Sequence, residues 1–177
     1  WAKRAGGTGN DIAYGIDVAY NGSIFVCGVF LGTKTFGEKI LTQGSGSNGF
    51  VAKFESSGKF AWSKSTNGSN RNQYRKVSVD AGNNCYVTGS VSGDVLFGTI
   101  PIKSAGGKDA CIVKYDSKGT LMWVLQGGGT EDDEGVAIAS DATGNCFVGG
   151  QFDTNAEFGR LKFSGWGAQD IFISRIK

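Results

Sequence analysis

The sequence predicts an all-β protein built from three copies of one antiparallel unit. The 177 residues contain 30 glycines and one proline, so the turns depend on residues that tolerate positive φ. One pattern recurs every 61 residues without gaps. Within each copy, apolar and polar residues alternate with the two-residue period of a half-buried strand. Together these observations favour many short strands over helices.

Three tryptophans, Trp1, Trp62 and Trp123, define the 61-residue period. The same register aligns the segments SIFVCG, NCYVTG and NCFVGG, and then NGFVAKF, DACIVKY and DIFISRI. It also aligns three Phe-Gly pairs, at residues 36–37, 97–98 and 158–159. The repeats therefore cover residues 1–61, 62–122 and 123–177 of a single domain.

Each repeat is predicted to contain four strands. In the first strand, Ile16 and Val18 flank Asp17, as Val77 and Val79 flank Ser78 in the next copy. The turns YNGS, AGNN and ATGN lead to the second strand. A Gly/Ser-rich connection of about 18 residues precedes the third strand, at 31–48, 92–109 and 153–170. ESSGK and DSKGT then lead to a fourth strand, which begins near Phe60 and Leu121. Four antiparallel strands per repeat are typical of a β-propeller blade.

The repeat is similar to a known bacterial type. WAKRAGGTGNDIAYGI, GSIFVCGVFLG, TFG and NGFVAKFESSGKFAW resemble the SBBP type of bacterial β-propeller repeat, and the likeness recurs through all three copies. The resemblance implies a propeller carried by large, mostly secreted bacterial proteins, and hence an extracellular or cell-surface location. It implies no settled activity, because a fold does not determine a function.

The strand count suggests how the propeller is completed. The chain begins at Trp1 with a fourth strand and ends at Lys177 just after a third strand. Known rings hold about 4–8 blades, so three are too few. We expect a homodimer with six blades, in which each N-terminal strand completes the third blade of the other subunit. An excised half of a longer propeller, or a larger ring of three chains, would also fit the sequence.

Composition argues against several function classes. The absence of histidine removes imidazole acid–base catalysis and every His-containing metal site. The net charge is +2 and no basic run occurs, so nucleic acid is not expected as a partner. No apolar stretch approaches the roughly 20 residues that a membrane-spanning helix needs. No cofactor is expected.

Four consecutive acids, Glu131, Asp132, Asp133 and Glu134, stand out in the segment GGGTEDDEG. Asp133 falls in a column that is occupied by Asp or Asn in every repeat, which indicates a side chain that bonds backbone N–H groups of a loop. The other three acids are peculiar to this repeat. They form either a solvated loop or a ligand site, and Glu131 and Asp132 are weak candidates for binding Ca²⁺.

Two columns of Asx residues are predicted to cap turns, because capping serves every repeat alike. One column precedes the first strand and the other precedes the third strand. Their members are Asp11, Asn72, Asp133, Asn48, Asp109 and Asp170.

The aromatic and sulfur-containing residues receive different interpretations. The periodic residues Trp1, Trp62, Trp123, Phe36, Phe97 and Phe158 are predicted to pack in the core between blades. Trp166 is not required by the repeat, which has Gly44 and Ala105 in its place, so it either stacks on a ligand or packs against a neighbouring blade or subunit. We interpret the four cysteines as buried free thiols; they are Cys27, Cys85, Cys111 and Cys146.

The function that fits these features best is a non-enzymatic binding or scaffold module. It would present Gly/Asn/Asp-rich loops to an extracellular protein or glycan, with Trp166, Glu131, Asp132 and Glu134 as the candidate ligand-binding residues. A carboxylate-based glycosidase or lyase is the enzymatic alternative, although adjacent acids in one loop do not show the separation that such catalysis requires. A structural spacer module of a larger surface protein is a third possibility.

Overall fold

The computed structural model describes residues 1–37, 39–41 and 46–177. Within these ranges the fold is all-β, with no helix, and all strand pairs are antiparallel. The strands are β1 (Ala5–Gly7), β2 (Asp11–Val18), β3 (Ile24–Leu31), β4 (Lys34–Phe36), β5 (Lys39–Leu41), β6 (Ser47–Phe54), β7 (Phe60–Gly68), β8 (Gln73–Val79), β9 (Cys85–Phe97), β10 (Ile100–Tyr115), β11 (Leu121–Gly128), β12 (Glu134–Ser140), β13 (Cys146–Phe152), β14 (Asn155–Phe158), β15 (Leu161–Ser164) and β16 (Asp170–Ile176).

The strands group into three modules that follow the sequence repeat. The first module pairs β2–β3–β6–β7 in order, the second pairs β8–β9–β10–β11, and the third pairs β12–β13–β16. The turns use residues in the left-handed region, among them Gly22 at φ 79°, Asn83 at φ 61° and Gly144 at φ 84°. The predicted starts of the fourth strands at Phe60 and Leu121 are confirmed.

The long connections between the second and third strands differ from their prediction as loops. Where the structure describes them, they fold into hairpins, which are β4–β5, the extended ends of β9 and β10, and β14–β15. Each hairpin turns at the glycine of a Phe-Gly pair, with φ of 59°, 61° and 63° at Gly37, Gly98 and Gly159. The sequence signal was missed because these strands are short and rich in polar residues.

Each hairpin pairs with the end of the preceding fourth strand. The last residues of β7 pair with the end of β9, and the last residues of β11 pair with β14. β1 pairs with β4 in the same register one repeat earlier. Strands therefore cross from one module to the next, and β1 occupies the position of an incoming fourth strand.

Two of the three core clusters lie between modules, and the third, around Phe36 and Phe50, lies within the first module. One cluster joins Phe25 and Val51 of the first module to Val77 and Val87 of the second. A second cluster joins Ile112 and its neighbours in the second module to the third module. The periodic residues Phe36 and Phe97 are buried, and Phe158, Trp62 and Trp123 pack against these clusters as half-buried rings.

Trp1 does not follow the prediction for the periodic aromatic residues. Its side chain is 71% exposed, although its indole Nε1 donates a hydrogen bond to Ser56 O at 3.1 Å. The equivalent Trp62 makes the same bond to Ser117 O at 3.2 Å and is half-buried. The difference arises because Trp62 lies opposite Lys53 of β6, whereas residues 1–4 have no strand beside them in the described structure.

Candidate functional site

The third module carries the acidic segment at one end of its sheet. We call this end the loop face and define it by residues 69–72, 130–133 and 165–169, which precede β8, β12 and β16. Backbone bonds hold two of these loops to neighbouring segments, from Gly107 N of β10 to Thr130 O and from Gly165 N to Thr154 O. The turns between β2 and β3 and between β6 and β7 lie at the opposite end.

The acidic segment does not act as one group. Glu131 projects into solvent, with Thr130 Oγ1 at 3.5 Å from Glu131 Oε1. Asp132 is bound to the second module, since its Oδ1 accepts a bond from Lys108 N at 2.9 Å and its Oδ2 lies 3.1 Å from Lys108 Nζ. The bond from the Lys108 backbone N–H lowers the pKa of Asp132, and the nearby Lys108 ammonium lowers it further.

Glu134 is buried in the contact between two inner strands. Its Oε1 accepts hydrogen bonds from Arg75 Nε at 2.6 Å and from Gln73 Nε2 at 2.7 Å. The Arg75 guanidinium also lies 4.8 Å from the centre of the Tyr14 ring. These contacts link β2, β8 and β12, so Glu134 ties the modules together rather than pointing into a loop.

Asp133 of the loop face and Asp109 of β10 form a pair of buried acids. Asp133 Oδ2 accepts a bond from Gly129 N at 2.6 Å, and its Oδ1 accepts one from Asp153 N at 3.2 Å. Burial, together with the nearby charges of Asp109 and Asp153, raises the pKa of Asp133 to about 6 despite these bonds. A methyl group placed on Gly128 would lie 2.6 Å from Asp133 Oδ2 and 2.8 Å from Asp109 Cγ, so both carboxyl groups approach this glycine.

Asp109 is only partly satisfied by its neighbours. Its Oδ2 accepts bonds from Ala105 N at 3.1 Å and Gln126 Nε2 at 2.5 Å, but its buried Oδ1 has no hydrogen-bond partner within the described residues. Burial therefore raises the pKa of Asp109. A buried carboxyl oxygen without a donor favours the protonated, neutral group.

The equivalent position between the first two modules carries amides. Asn48 Oδ1 accepts a bond from Gly68 N at 3.0 Å while its Nδ2 donates to Gly68 O at 3.1 Å. Asn72 Oδ1 accepts a bond from Ser92 N at 3.0 Å and its Nδ2 donates to Asn70 O at 3.3 Å. The same framework thus holds two neutral side chains at one junction and two acids at the next.

The remaining members of the Asx columns also bond backbone N–H groups. Asp11 Oδ2 accepts from Gly7 N at 3.0 Å, and Asp170 Oδ2 accepts from Trp166 N at 2.8 Å. Asp11 is in addition 2.8 Å from the buried ammonium of Lys34. Backbone N–H contacts of this kind hold the loops in place at each repeat.

Trp166 lies at the tip of the β15–β16 loop. Its side chain is 98% exposed, so it does not pack on a neighbouring module of the same chain. Gly167 on one side of it has open space around its Cα, and the bond from Trp166 N to Asp170 Oδ2 fixes the backbone. The ring is therefore free for contact with another molecule.

A cleft of about 740 Å³ lies beside the β14–β15 hairpin. Its wall includes the Gly127–Gly129 segment, Asp109, Gln126 and Phe163, and the ion pair between Glu157 and Lys162, whose Oε1 and Nζ atoms are 2.6 Å apart. Sequence reasoning missed this cleft because the hairpin was taken for a loop.

The described residues were also compared with the requirements of a metal site, a reactive thiol and a membrane-spanning helix. No three Cys, Asp or Glu side chains there converge as they would around a metal ion. The four cysteines are free and buried, as predicted, and burial raises the pKa of Cys27 to about 12 and that of Cys146 to about 12, which disfavours a nucleophilic thiolate. No helix in this part of the chain is long and apolar enough to cross a bilayer.

Comparison with known proteins gives distant relatives, and no family model matches the chain. Regulatory protein FlaEY of Caulobacter vibrioides is 30% identical over 124 residues, which cover 67% of this chain and 13% of that protein. The uncharacterized WD repeat-containing protein L264 of Acanthamoeba polyphaga mimivirus is 30% identical over 113 residues, which cover 54% of this chain and 8% of that protein. The matched segments are thus small parts of much longer proteins.

Proposed function

We propose that the protein is a non-enzymatic binding module with a β-propeller architecture. One observation carries the proposal: an antiparallel sheet with the same strand order and register recurs every 61 residues. Neighbouring sheets pack against each other through their apolar faces. A relative described by WD repeats adds support, because such repeats form four-stranded blades. In this proposal the modules are three blades of a six-bladed homodimeric ring.

The repeats are proposed to be of the SBBP type, and the protein is proposed to act outside the bacterial cell or on its surface. The support is the sequence likeness that recurs in all three copies. Neither relative's name describes a location or a ligand.

The binding surface is proposed to be the loop face, with a glycan as its ligand. Trp166 supplies an exposed ring that can stack on a sugar, on a backbone that is bonded to Asp170. Glu131 is an exposed carboxylate on the β11–β12 loop, which could accept hydrogen bonds from hydroxyl groups. Asp132 and Glu134 contribute less directly, since Lys108 and Arg75 bind their carboxylates.

The engagement of these acids also supports a binding role over hydrolysis. A carboxylate glycosidase needs two carboxyl groups facing each other across a cleft at about 5–9.5 Å. Of the four consecutive acids, Asp132 and Glu134 are held in ion pairs and Asp133 is buried behind the loop. Glu131 would have to act without a partner from its own segment.

The test is retention on immobilised cellulose, chitin, xylan and mannan. The wild-type chain is expected to bind at least one polysaccharide, and Trp166→Ala is expected to weaken that binding at least tenfold. Tyr20→Ala is the matched control, because Tyr20 is fully exposed in the β2–β3 turn at the opposite end of the sheet. Trp166→Ala should change the free energy of unfolding by less than about 0.5 kcal/mol, as surface substitutions usually do.

Retention of none of these polysaccharides, or equal loss of binding in both variants, would overturn the glycan proposal. A spacer module would also bind none of them. Release of reducing sugar by the wild-type chain, but not by Glu131→Gln, would overturn the non-enzymatic assignment.

A further inference from the structure

A hollow recurs at both junctions between neighbouring modules. Between the first and second modules its volume is about 660 Å³, and it is lined by residues 67–69, 94–96 and 101–103. The cleft of about 740 Å³ between the second and third modules is lined by the equivalent residues one repeat later, 128–130, 155–157 and 162–164. The repeated fold therefore makes both hollows, and only the differences between their walls can give one of them a special role.

The main difference is an acid in the wall of the second hollow, which we continue to call the cleft. Asp109 is one of the residues that line it, whereas the equivalent Asn48 is not among the described residues that line the first hollow. The Asp109 side chain is 1% exposed. The cleft therefore reaches a buried carboxyl group that has no counterpart in the other hollow.

The second difference is the loss of a hydrogen-bond donor at the same place. Asn48 Oδ1 accepts a bond from Thr66 Oγ1 at 2.8 Å as well as the bond from Gly68 N. The residue equivalent to Thr66 is Gly127, and the ring of Phe158 lies where a side chain of Gly127 would begin. The cleft thus gains a group that needs more donors than an amide oxygen and loses the hydroxyl that could have supplied one.

The charges around Asp109 are also unbalanced. The charged residues that line the cleft are Asp109, Glu157 and Lys162, and the last two neutralise each other in their ion pair. Asp133 lies behind Asp109, on the other side of Gly128. Within the described residues, neither Asp109 nor Asp133 forms an ion pair with a lysine or arginine. A buried acid with an unbonded oxygen and no cation destabilises the fold, as a site kept for a ligand does.

We propose that the cleft binds a small ligand through a primary ammonium group, which donates a hydrogen bond to Asp109 Oδ1. An ammonium group supplies both of the missing elements, since it carries three N–H donors and a positive charge. A hydroxyl group would supply the hydrogen bond alone. The volume of the cleft is within the usual range for small-molecule sites, and the half-buried Phe163 offers an apolar surface to the rest of the ligand.

This inference goes beyond the glycan site proposed for the loop face. Neither Trp166 nor Glu131 lines the cleft, so the two sites use different side chains. Two kinds of ligand carry a primary ammonium group on a small body, which are amino sugars and aliphatic amines. The chemistry at Asp109 is the same for both, and the choice of probes distinguishes them.

The test is isothermal titration calorimetry of the full chain at pH 7 with glucosamine, cadaverine and N-acetylglucosamine. At least one of the two amines should bind with a dissociation constant of about 1 mM or below, and should raise the melting temperature in proportion to its occupancy. N-acetylglucosamine has the same ring as glucosamine but an amide in place of the ammonium group. It should bind at least tenfold more weakly than the amine that binds.

Two matched variants locate the site. Asp109→Asn should weaken amine binding at least tenfold, and it should fold because asparagine occupies the equivalent position 48. Asp94→Asn removes a carboxylate from the first hollow, where its side chain is 86% exposed, and should leave the affinity unchanged. The pair therefore separates a bond to Asp109 from a general attraction of cations to acidic hollows.

A third variant keeps Asp109 and blocks the cleft. Ser164 is exposed and lines the cleft, so Ser164→Trp places a large ring in it without changing the core. It should also weaken amine binding at least tenfold while the circular dichroism spectrum stays the same. This variant decides the matter if Asp109→Asn fails to fold.

Failure of both amines to bind would mean that solvent satisfies Asp109, and would overturn the inference. Equal affinities for glucosamine and N-acetylglucosamine, or unchanged amine affinity in the folded Asp109→Asn or Ser164→Trp variant, would also overturn it. Trp166-dependent retention on a polysaccharide without amine binding would leave the proposed glycan function standing while this inference fails. Amine binding that depends on Asp109, without retention on any polysaccharide, would have the opposite meaning.

Discussion

Replacing the two buried acids Asp109 and Asp133 by asparagine should stabilise the protein at neutral pH. The pKa of Asp133 is raised from its ordinary 3.8 to about 6, because burial disfavours its charge. Below pH 3.8 the carboxyl is protonated in both the folded and the unfolded chain. Between pH 3.8 and 6 only the unfolded chain releases the proton, so the free energy of unfolding falls as the pH rises. At pH 7 this cost is about 3 kcal/mol.

The two substitutions are expected to act as a unit. Asp133 accepts backbone N–H bonds on both oxygens, so Asp133→Asn alone would turn an amide donor toward Gly129 N–H. The double variant can instead adopt the arrangement of Asn48 and Asn72, in which Asn48 accepts the bond from the equivalent Gly68. At pH 7 we therefore expect Asp133→Asn alone to gain less stability than the double variant, because the lost bond costs about 1–2 kcal/mol of the roughly 3 kcal/mol that removal of the charge restores.

The assay is urea unfolding of wild type and double variant from pH 4 to pH 8, followed by tryptophan fluorescence at fixed protein concentration. The difference in unfolding free energy should favour the variant increasingly with pH, by up to about 3 kcal/mol, and level off above pH 7. Taking the difference cancels the contributions of other carboxylates, such as Asp80 and Asp141, whose pKa values are lowered by hydrogen bonds. A difference that does not change with pH would refute the reasoning.

Three further predictions follow from the contacts. Deletion of residues 1–5 should abolish dimer formation and lower the melting temperature, because it removes Trp1 and its bond to Ser56; unchanged assembly and melting would exclude strand exchange. Arg75→Gln should destabilise the fold by about 1–2 kcal/mol at pH 7, since Glu134 is left buried without its cation, and a double-mutant cycle with Glu134→Gln should recover part of the loss. Millimolar Ca²⁺ should leave the melting temperature unchanged, because Lys108 already neutralises Asp132; a clear rise would restore the loop as a cation site.

The sequence predicted the repeat and the strand order well because both depend on local patterns. Alternation around Asp17 and Ser78, and turn residues such as Gly22, report directly on backbone geometry. Two features escaped it. The Phe-Gly hairpins pair with a strand of the preceding repeat, so their stability comes from a distant segment, and Trp1 is exposed because no described strand pairs with residues 1–4.

In the candidate site, too, the sequence revealed residues that recur in every repeat but not contacts between different repeats. A register argument identified Asp133 as a structural residue, because the column recurs in each copy. The partners of Asp132 and Glu134, which are Lys108 and Arg75, lie in the preceding repeat and have no counterpart that would reveal them. Asp153, whose charge acts on Asp133, could have been identified as peculiar to the third repeat, because the equivalent residues in the other repeats are Leu31 and Ser92.

The passage of β7 and β11 from one module into the next has a mechanical consequence. Pulling a module away from its neighbour breaks both a packed face and a set of backbone hydrogen bonds, because the last residues of each fourth strand belong to the following hairpin. Neighbouring modules should therefore unfold together rather than one at a time, and their coupling energy should be large relative to the stability of any one of them. Force applied along the chain would therefore meet a single unfolding barrier for the joined modules.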